Sequence, residues 1–272
     1  MKRLDGRVAV VTGAGSGIGR ATALALAERG CRLALVDLNA EGIAETAALA
    51  VSASPGGPEP SLHTADVSDE AAVAALPDEV VQAHGAVHVL VNNAGVATAG
   101  RFDADDLDLA RWIVGINVWG VLHGCHAFLP QLRQADEAHI VNVSSMAAFV
   151  GLPQNAVYSM TKGAVRTFSE GLRGELAGAG IGVTTVFPGA INTNIMASSR
   201  GAESERLASM ANSRLAPLVL QKPEKVARKL VRGIEANRSR VVVGPDAHLL
   251  QLASRIAPGR SALLGKVLDR VT

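Results

Sequence analysis

The feature that most constrains the fold is a series of seven short apolar runs, separated by segments long enough to form helices. Most runs contain Val, Ile or Leu at consecutive positions, without the polar alternation of a strand that has one face in water. Such strands are buried on both faces, as in a parallel sheet covered by helices. The pattern predicts a single α/β domain, a doubly wound sheet of about seven parallel strands with helices on both faces. The runs span residues 7–12, 32–37, 61–66, 87–92, 139–144, 182–187 and 240–244.

The same rhythm continues along the chain, so we interpret residues 1–272 as one domain. The Pro- and Gly-rich stretch 51–60 predicts a surface loop rather than a linker. The polar segment 192–214 is long for a connection in a compact domain and predicts either a substrate lid or an ordinary surface loop. Residues 252–272 form a C-terminal extension, with apolar residues at helical spacing near its end. We expect that stripe to dock on the protein body or a neighbouring subunit, with a membrane-surface contact as the alternative.

Composition narrows the function classes and the compartment. The formal net charge of +1 argues against nucleic-acid binding by charge alone. Cys31 and Cys125 lie far apart in sequence, which favours a reduced, cytoplasmic location over secretion. His123 and His126 flank Cys125 on a helical stretch that splits the polar groups over different faces, so no metal site is expected. The N-terminus has no apolar signal core, and we expect no transmembrane segment because no run of about 20 uninterrupted apolar residues follows.

A glycine-rich turn follows the first apolar run, in the sequence TGAGSGIGR. Read as T-G-x-x-x-G-x-G, it uses Gly13, Gly17 and Gly19. Glycines let a turn approach a pyrophosphate closely, and the N-terminus of the following helix offers N–H groups and a positive dipole end to phosphates. The alternative is a glycine-rich strand–helix turn without a ligand. The motif by itself therefore predicts a dinucleotide site with limited specificity.

Asp37 closes the second apolar run, about 20 residues beyond the glycines. In a dinucleotide-binding domain an acid at this position accepts hydrogen bonds from the ribose hydroxyls. A carboxylate would repel a 2′-phosphate, and neither Ser16 nor Leu38 nor Asn39 supplies a compensating cation. The site is therefore predicted to prefer NAD over NADP. A helix cap formed by Asp37 or Asn39 is an alternative that is compatible with this role.

Tyr158 and Lys162 are spaced four residues apart in a helical pattern, which places both side chains on one face. A free phenol has a pKa near 10. A cation about 4 Å away, at an effective dielectric constant of about 20, stabilises the phenolate by roughly 4 kcal/mol, or about three pKa units. Desolvation opposes part of this effect. The pair predicts a general acid/base, whereas an ordinary surface pair on a helix is the alternative.

Further motifs occur at the ends of later runs: NNAG at 92–95, Asn117 in GINVWG, Ser145 after the fifth run, and FPGAINT at 187–193. Together with the glycine turn and the Tyr–Lys pair, they resemble the classical short-chain dehydrogenase/reductase family in order and spacing. The resemblance covers roughly Gly6 to Gly244. It implies a Rossmann fold, oxidoreductase activity on a small-molecule substrate and a homodimer or homotetramer, with NAD as the cofactor that Asp37 favours.

The resemblance also implies roles for individual residues. Tyr158 would be the general acid/base, Ser145 would hold the substrate oxygen, Lys162 would bind the nicotinamide ribose, and Asn117 would organise a water for proton relay. Tyr158 and Lys162 are also expected among the cofactor contacts. The remaining cofactor-binding residues are expected to be Gly13, Ser16, Gly17, Ile18, Gly19, Asp37, Asp66, Val67, Asn93, Ala94, Gly95, Pro188, Gly189, Ile191 and Thr193.

The substrate is the least constrained part of the prediction. Residues expected around the pocket are mostly apolar, which favours a lipophilic or uncharged secondary alcohol or ketone. Arg200 and Arg206 in the predicted lid leave an acidic substrate open. Two further alternatives are an NADP-linked carbonyl reductase and a non-catalytic dinucleotide-binding protein on the same fold. The expected apolar pocket residues are Met146, Phe149, Val150, Leu152, Ile195 and Met196.

Overall fold

A computed structural model describes residues 1–191, 199–202, 204, 220–256 and 259. Seven strands form one parallel sheet in the order β3-β2-β1-β4-β5-β6-β7, which confirms the predicted fold class. Most of the predicted lid and the apolar stripe near the end of the C-terminal extension lie outside the described residues. The strands are β1 (Val8–Thr12), β2 (Arg32–Asp37), β3 (Ser61–Thr64), β4 (Val89–Asn92), β5 (Ala138–Val143), β6 (Ile181–Pro188) and β7 (Arg240–Val243).

Eight α-helices lie within the described part of the chain, and most of them connect consecutive strands. Helices α1, α2 and α7 pack on one face of the sheet, and α3, α5 and α6 pack on the other. The helices are α1 (Gly17–Ala27), α2 (Ala40–Ala53), α3 (Glu70–His84), α4 (Leu107–Val114), α5 (Gly120–Leu132), α6 (Ala156–Glu175), α7 (Pro223–Glu235) and α8 (Pro245–Ile256).

The continuous apolar character of the strands follows from this three-layer arrangement. In β1, Ala9 and Val11 contribute to one hydrophobic core, whereas Val8 and Val10 contribute to the other. Successive side chains of a strand point to opposite faces, so a strand with a core on each side needs apolar residues at every position. This is why the runs lacked polar alternation.

The predicted element boundaries differ from the observed ones by a few residues. Helix α2 extends to Ala53, into the stretch predicted to be a loop, because its Ala-rich last turn continues the helix up to the Ser54–Pro55 break. Pro223 begins α7, as expected of a proline at a first helical position. The third strand ends at Thr64 rather than at residue 66, so the predicted site residue Asp66 lies in the turn after β3.

The helical stretch Leu107–Leu132 comprises α4, a π-helical turn (Gly115–Trp119) and α5. Among the described residues it is the one stretch long and apolar enough, by length and composition, to cross a membrane. Its α5 part packs on α3, β4 and β5, as the core helices of many domains do. Length and composition alone are therefore weak evidence for a membrane span.

The order of the strands in the sheet determines where a ligand site can lie. The connection from β1 runs to β2 on one side, while β4 pairs with β1 on the other side, so a crevice opens between the carboxyl ends of β1 and β4. Ligands of doubly wound sheets bind at such a switch point.

Candidate active site

A cavity of about 590 Å³ lies at the carboxyl ends of β1, β4, β5 and β6. Most predicted site residues line it, but Gly17, Gly19 and Asn117 do not, and Thr193 lies outside the described residues. The predicted residues that line the cavity are Gly13, Ser16, Ile18, Asp37, Asp66, Val67, Asn93, Ala94, Gly95, Ser145, Tyr158, Lys162, Pro188, Gly189 and Ile191.

The glycine turn connects β1 to α1 at the edge of this cavity. Gly13 has φ +65°, and a Cβ on it would lie 2.8 Å from the Ala94 Cα. A Cβ on Gly19 would collide with the Gly13 carbonyl, so both positions require glycine for close packing. Ser16 precedes α1 without a side-chain cap, so the first N–H groups of the helix have no side-chain acceptor. The turn therefore fits a pyrophosphate.

Asn93 and Thr12 hold the glycine turn against the end of β4. The Asn93 side-chain amide donates to the Thr12 carbonyl (2.9 Å) and to the Gly13 carbonyl (3.2 Å). The Thr12 hydroxyl accepts from the backbone N–H groups of Asn93 (3.0 Å) and Ala94 (3.1 Å). The sequence analysis did not assign Thr12 a role, although it is the first residue of the motif. These four bonds tie two loops of the cavity into one rigid unit.

Asp37 accepts hydrogen bonds at both carboxylate oxygens. The Gly15 N–H donates to Oδ2 (2.8 Å) and the Asn39 N–H donates to Oδ1 (3.0 Å). Asn39, rather than Asp37, caps α2, because its side chain accepts from the Gly42 N–H. Each Asp37 oxygen retains a further lone pair, and the residue lines the cavity. The group therefore suits a pair of ribose hydroxyls.

The cationic side chain of Arg20 lies close to this end of the cavity, but it is already bonded to other groups of the protein. Its guanidinium forms an ion pair with Glu45 (2.6 Å) and donates to the Thr46 hydroxyl (3.0 Å). It also donates to the Gly15 carbonyl. Arg20 is therefore already paired and does not offer a free cation to a 2′-phosphate beside Asp37.

Tyr158 lies in the first turn of α6, and Ser145 follows the end of β5. Both side chains line the cavity. Burial raises the pKa of the Tyr158 phenol, and the nearby Ser145 hydroxyl opposes only part of this increase. The Ser145 hydroxyl also accepts from the Ala147 N–H (3.2 Å), which helps to hold it in place.

Lys162 does not act on Tyr158 as the sequence analysis expected. Its ammonium lies 5.9 Å from the centre of the Tyr158 ring and donates to the Val143 carbonyl (3.2 Å). Burial lowers the pKa of Lys162 to about 8. Among the protein's own groups, desolvation therefore outweighs the attraction between the cation and the phenolate, and the predicted lowering of the Tyr158 pKa is not found.

Asn117 lies in the π-helical turn and is completely buried. Its amide accepts from the Val96 N–H (2.9 Å) and donates to the Val96 carbonyl (2.9 Å) and to the Thr161 hydroxyl (3.1 Å). A Cβ on Gly95 would lie 3.1 Å from the Asn117 Oδ1. The side chain therefore positions the loop after β4, and π-helical turns are frequent at functional sites.

The part of the cavity beyond Tyr158 is largely apolar. Met146, Leu152 and Ile191 line it, whereas Phe149 is stacked on Phe187 with ring centres 4.6 Å apart. Arg200, from the predicted lid segment, also lines the cavity, as do residues that the sequence analysis did not assign to it, among them Trp112, Ile116 and Asn155. Trp112 lies five residues before Asn117 on the same helical stretch, and that spacing gives no sequence signal for it.

Asp246 supports the turn after β6 and was missed by the sequence analysis. Its carboxylate accepts from the Ala190 N–H (2.7 Å) and from the Gln221 side-chain amide (3.3 Å). A Cβ on Gly189 would collide with this carboxylate. Asp246 lies 56 residues further along the chain than Ala190, so no local sequence signal links the two.

The side chains of the His123–His126 stretch have separate surroundings. The His123 Nδ1 contacts the Val67 carbonyl (3.0 Å), and the Cys125 thiol accepts from the Asn92 amide (3.3 Å). His126 is exposed. Within the described ranges, no three His, Cys, Asp or Glu residues are grouped to hold a metal ion.

Comparisons with known proteins agree with this geometry. The family model described as short chain dehydrogenase matches residues 7–204. SadH of Mycobacterium tuberculosis, which bears the name of an oxidoreductase, is 38% identical over 258 residues, covering 94% of this chain and 92% of that protein.

Two solved structures are similar over most of the chain. A short-chain dehydrogenase/reductase from Burkholderia phymatum in complex with NAD is 32% identical, with a TM-score of 0.85 and 97% of each chain covered. A metagenomic short-chain oxidoreductase in complex with NADP is 28% identical, with a TM-score of 0.72, covering 88% of this chain and 97% of that one.

Proposed function

This chain belongs to the short-chain dehydrogenase/reductase family of oxidoreductases, which bind NAD or NADP, and on that premise we propose that it transfers a hydride between NAD(H) and a secondary alcohol or ketone. The observation that carries the proposal is that Ser145, Tyr158 and Lys162 line one cavity, with Ser145 close enough to the Tyr158 phenol to oppose the rise of its pKa. A cleft that contains titratable groups with shifted pKa values is typical of an active site.

NAD is proposed rather than NADP because of Asp37. Similar proteins occur in complexes with either cofactor, so the family alone leaves the choice open. The Asp37 carboxylate suits ribose hydroxyls, and it would repel a 2′-phosphate dianion. Arg20 is engaged by Glu45 and does not compensate. At this end of the cavity we propose Gly13, Ser16 and Asp37 as cofactor contacts. The other cofactor contacts that the family resemblance implies are proposed unchanged.

The protein's own residues supply the proton chemistry. When bound, NAD accepts a hydride and NADH donates one at the nicotinamide ring. For reduction, the Tyr158 phenol donates its proton to the carbonyl oxygen, and its raised pKa keeps that proton in place at neutral pH. For oxidation, Tyr158 must first lose its phenol proton to solvent, and the resulting phenolate then accepts the proton from the alcohol. Ser145 donates a hydrogen bond to the same substrate oxygen. The Lys162 ammonium has N–H groups in addition to the one that donates to the Val143 carbonyl, and we also propose that these bind the nicotinamide ribose.

Apolar residues around the substrate end favour a lipophilic carbon framework. Met146, Leu152 and Ile191 form one part of this lining, and Trp112 and Ile116 form another. Such a surface binds a hydrocarbon chain or ring by removing it from water. We therefore propose a ketone or secondary alcohol on an apolar framework.

A homodimer or homotetramer in the cytoplasm is part of the proposal. Helix α6 presents Ala164, Gly171 and Gly174 to solvent, with the exposed Ala177 just beyond its end, and a Cβ on Gly171 or Gly174 would meet nothing within 4 Å. An exposed row of small residues allows a second helix to approach closely in a symmetric interface. Both cysteines are free and buried, which is compatible with a reducing compartment. Light scattering at micromolar concentration tests the assembly; a monomer mass would contradict it.

One panel assay tests the proposed reaction. Purified protein is mixed with NAD or NADP and a set of medium-chain secondary alcohols, and the reduced cofactor is followed by its absorbance. We expect NADH production from at least one apolar alcohol, at a kcat/KM at least about tenfold above that with NADP, because of Asp37. Turnover only with NADP would support the carbonyl-reductase alternative. Cofactor binding without turnover across ketones and alcohols would favour a non-catalytic protein.

A further inference from the structure

Arg200 is fixed beside the substrate end of the cavity by its backbone. The Ala99 N–H donates to the Arg200 carbonyl (2.9 Å), and the Arg200 N–H donates to the Ala97 carbonyl (3.3 Å). The segment also forms a parallel bridge between Thr98 and Arg200. Two residues later, the Ala202 N–H donates to the Asp105 carboxylate (2.9 Å). The start of the Arg200 side chain is therefore held in place, unlike that of an arginine in an untethered surface loop.

The guanidinium of Arg200 stacks on the indole of Trp112, 4.2 Å from a ring centre, and both residues line the cavity. Stacking uses the face of the guanidinium and leaves its N–H edge available. That edge is a planar fork whose geometry matches a carboxylate. Within the described residues, no carboxylate forms an ion pair with Arg200.

The charges around the cavity are unevenly distributed. The described residues that line it include two acids, Asp37 and Asp66, and both belong to the predicted cofactor end. The described lining of the substrate end contains two basic groups, Lys162 and Arg200, and no acid. Asp105, on the adjoining segment, accepts from the Ala202 amide. A cavity lined by one sign of charge concentrates ligands of the opposite sign.

We propose that the substrate is amphipathic: an apolar ketone or secondary alcohol that also carries a carboxylate, which Arg200 binds at the mouth of the cavity. This inference rests on the proposed function and names the substrate class of that site. Arg200 is solvent-exposed, so the carboxylate keeps part of its hydration while the hydrocarbon portion lies against Trp112, Met146 and Leu152. A neutral substrate of the same shape would leave the fork of Arg200 without its partner.

The test compares medium-chain oxo acids, with the keto group at several positions, with their methyl esters. We expect wild-type kcat/KM to be at least about tenfold higher for the best acid than for its ester. Arg200→Met should lower kcat/KM for the acid about 10- to 100-fold, mainly through KM, and leave the ester within about twofold, as for loss of a charge-assisted hydrogen bond. Arg200→Lys should retain part of the preference. Arg101→Met, at a neighbouring exposed arginine paired with Asp103, is the matched control and should change neither value.

A binding measurement separates this inference from the proposed reaction. Octanoate and methyl octanoate are titrated into the protein–NADH complex, and NADH fluorescence is followed. Octanoate should bind, and Arg200→Met should weaken its affinity at least about tenfold without changing that of the ester or of NADH. Equal octanoate affinity in wild type and Arg200→Met, or equal losses for acid and ester, would overturn the role of Arg200. If octanoate binds as expected but neither oxo acids nor esters are reduced, the proposed reaction fails while the carboxylate site stands.

Discussion

Two clusters of polar side chains lie at opposite ends of the parallel sheet, and they are built differently. The carboxyl-end cluster consists of Ser145, Tyr158 and Lys162. The amino-end cluster consists of Ser61 and His63 on β3 and Glu79 and His84 on α3. At the amino end, the Ser61 hydroxyl contacts the His63 Nε2 (2.8 Å) and the His84 Nε2 (2.9 Å), and the His63 Nδ1 contacts Glu79 (2.7 Å).

The amino-end cluster is closed. Both ring nitrogens of His63 have a partner within the cluster, and so does the Nε2 of His84. Ser61, His63 and Glu79 follow the order of a nucleophile, base and acid, yet the serine hydroxyl is occupied by two imidazoles. Such a network stabilises the edge strand, because its serine hydroxyl and imidazoles bond to one another and to Glu79.

The carboxyl-end cluster is open by comparison. Tyr158 and Ser145 line a cavity, and Lys162 donates to the Val143 carbonyl from a group that has three donors. Burying a cation with incomplete pairing costs stability. Residues of catalytic type occur in both clusters. Whether all their polar atoms are hydrogen-bonded within the protein therefore indicates an active site better than the residue types do. The predictions below test this distinction, beginning with the largest effect.

Tyr158→Phe should remove nearly all turnover and leave the fold intact. The phenol supplies the proton, and a general acid/base contributes at least about 100-fold to a rate. The ring of phenylalanine fills the same space, so we expect the melting temperature to change by no more than about 2 °C. Steady-state kinetics and thermal unfolding measure the two effects. Retention of more than about 10% of the wild-type rate would remove Tyr158 from the proposed role.

Acid should destabilise the amino end through His139 on β5. Burial, with a smaller effect of the N-terminal ammonium, lowers the pKa of His139 to about 3. The Thr184 hydroxyl donates to the Arg238 carbonyl (2.6 Å), so the His139 Nε2–H donates to Thr184 (2.7 Å) and the Nδ1 has no partner. A proton added at Nδ1 would therefore lack an acceptor.

The lowered pKa of His139 determines how the stability depends on pH. Because the folded pKa lies below the unfolded value of about 6.5, the stabilisation is complete above pH 6.5 and is lost progressively as the pH falls toward 3. We expect the free energy of unfolding to fall by about 2 kcal/mol between pH 6.5 and pH 5. Urea unfolding at each pH measures it, and His139→Gln should flatten this part of the profile. An equally steep profile in the variant would show that other groups are responsible.

Asp37→Asn should weaken the preference for NAD. The wild-type ratio of kcat/KM for NAD over NADP is expected to be at least about tenfold, and removing the charge should reduce it to about threefold or less. The asparagine Oδ1 still accepts one backbone hydrogen bond, so the turn around Gly15 should persist. Kinetics with both cofactors measure the ratio, and an unchanged ratio would place the selectivity elsewhere. Glu41→Gln, at an acid in the first turn of α2, is the charge-matched control.

Glu79→Gln should have the smallest effect, and only on stability. The carboxylate of Glu79 is about half exposed (53%), so loss of its interaction with His63 should cost no more than about 1 kcal/mol. NADH affinity and turnover should remain within about twofold of wild type, because the amino-end cluster is closed and distant from the cavity. A tenfold loss of activity at unchanged stability would mean that the two ends are coupled.

The sequence predicted the parts of the molecule that depend on local pattern. The apolar runs indicated the parallel sheet, and the polar turns at their ends indicated one edge of it, because parallel strands deliver their carboxyl ends to the same side. Asp37 was found in this way, whereas Tyr158 was found from its four-residue spacing to Lys162 in a helical pattern.

Other features depend on contacts between distant segments and on burial. Asp246 meets Ala190 only because β6 and β7 are neighbours, and no local motif encodes that contact. The pKa of Tyr158 depends on how far the phenol is removed from water, which spacing to Lys162 does not reveal. Asn117 was assigned by resemblance, and its bonds to Val96 became visible only with the loop after β4 in place.

Deuterium transfer tests the central claim most directly. The protein is incubated with NADH deuterated at the transferable C4 position of the nicotinamide and with the best ketone from the panel, and the alcohol is analysed by mass spectrometry. We predict one deuterium on the carbinol carbon with wild-type protein, and at least about 100-fold slower transfer with Tyr158→Phe at the same NADH occupancy. Glu79→Gln should transfer at the wild-type rate. Equal transfer by Tyr158→Phe and wild type, with NADH bound equally, would contradict the assignment of the carboxyl-end cluster as the reacting centre.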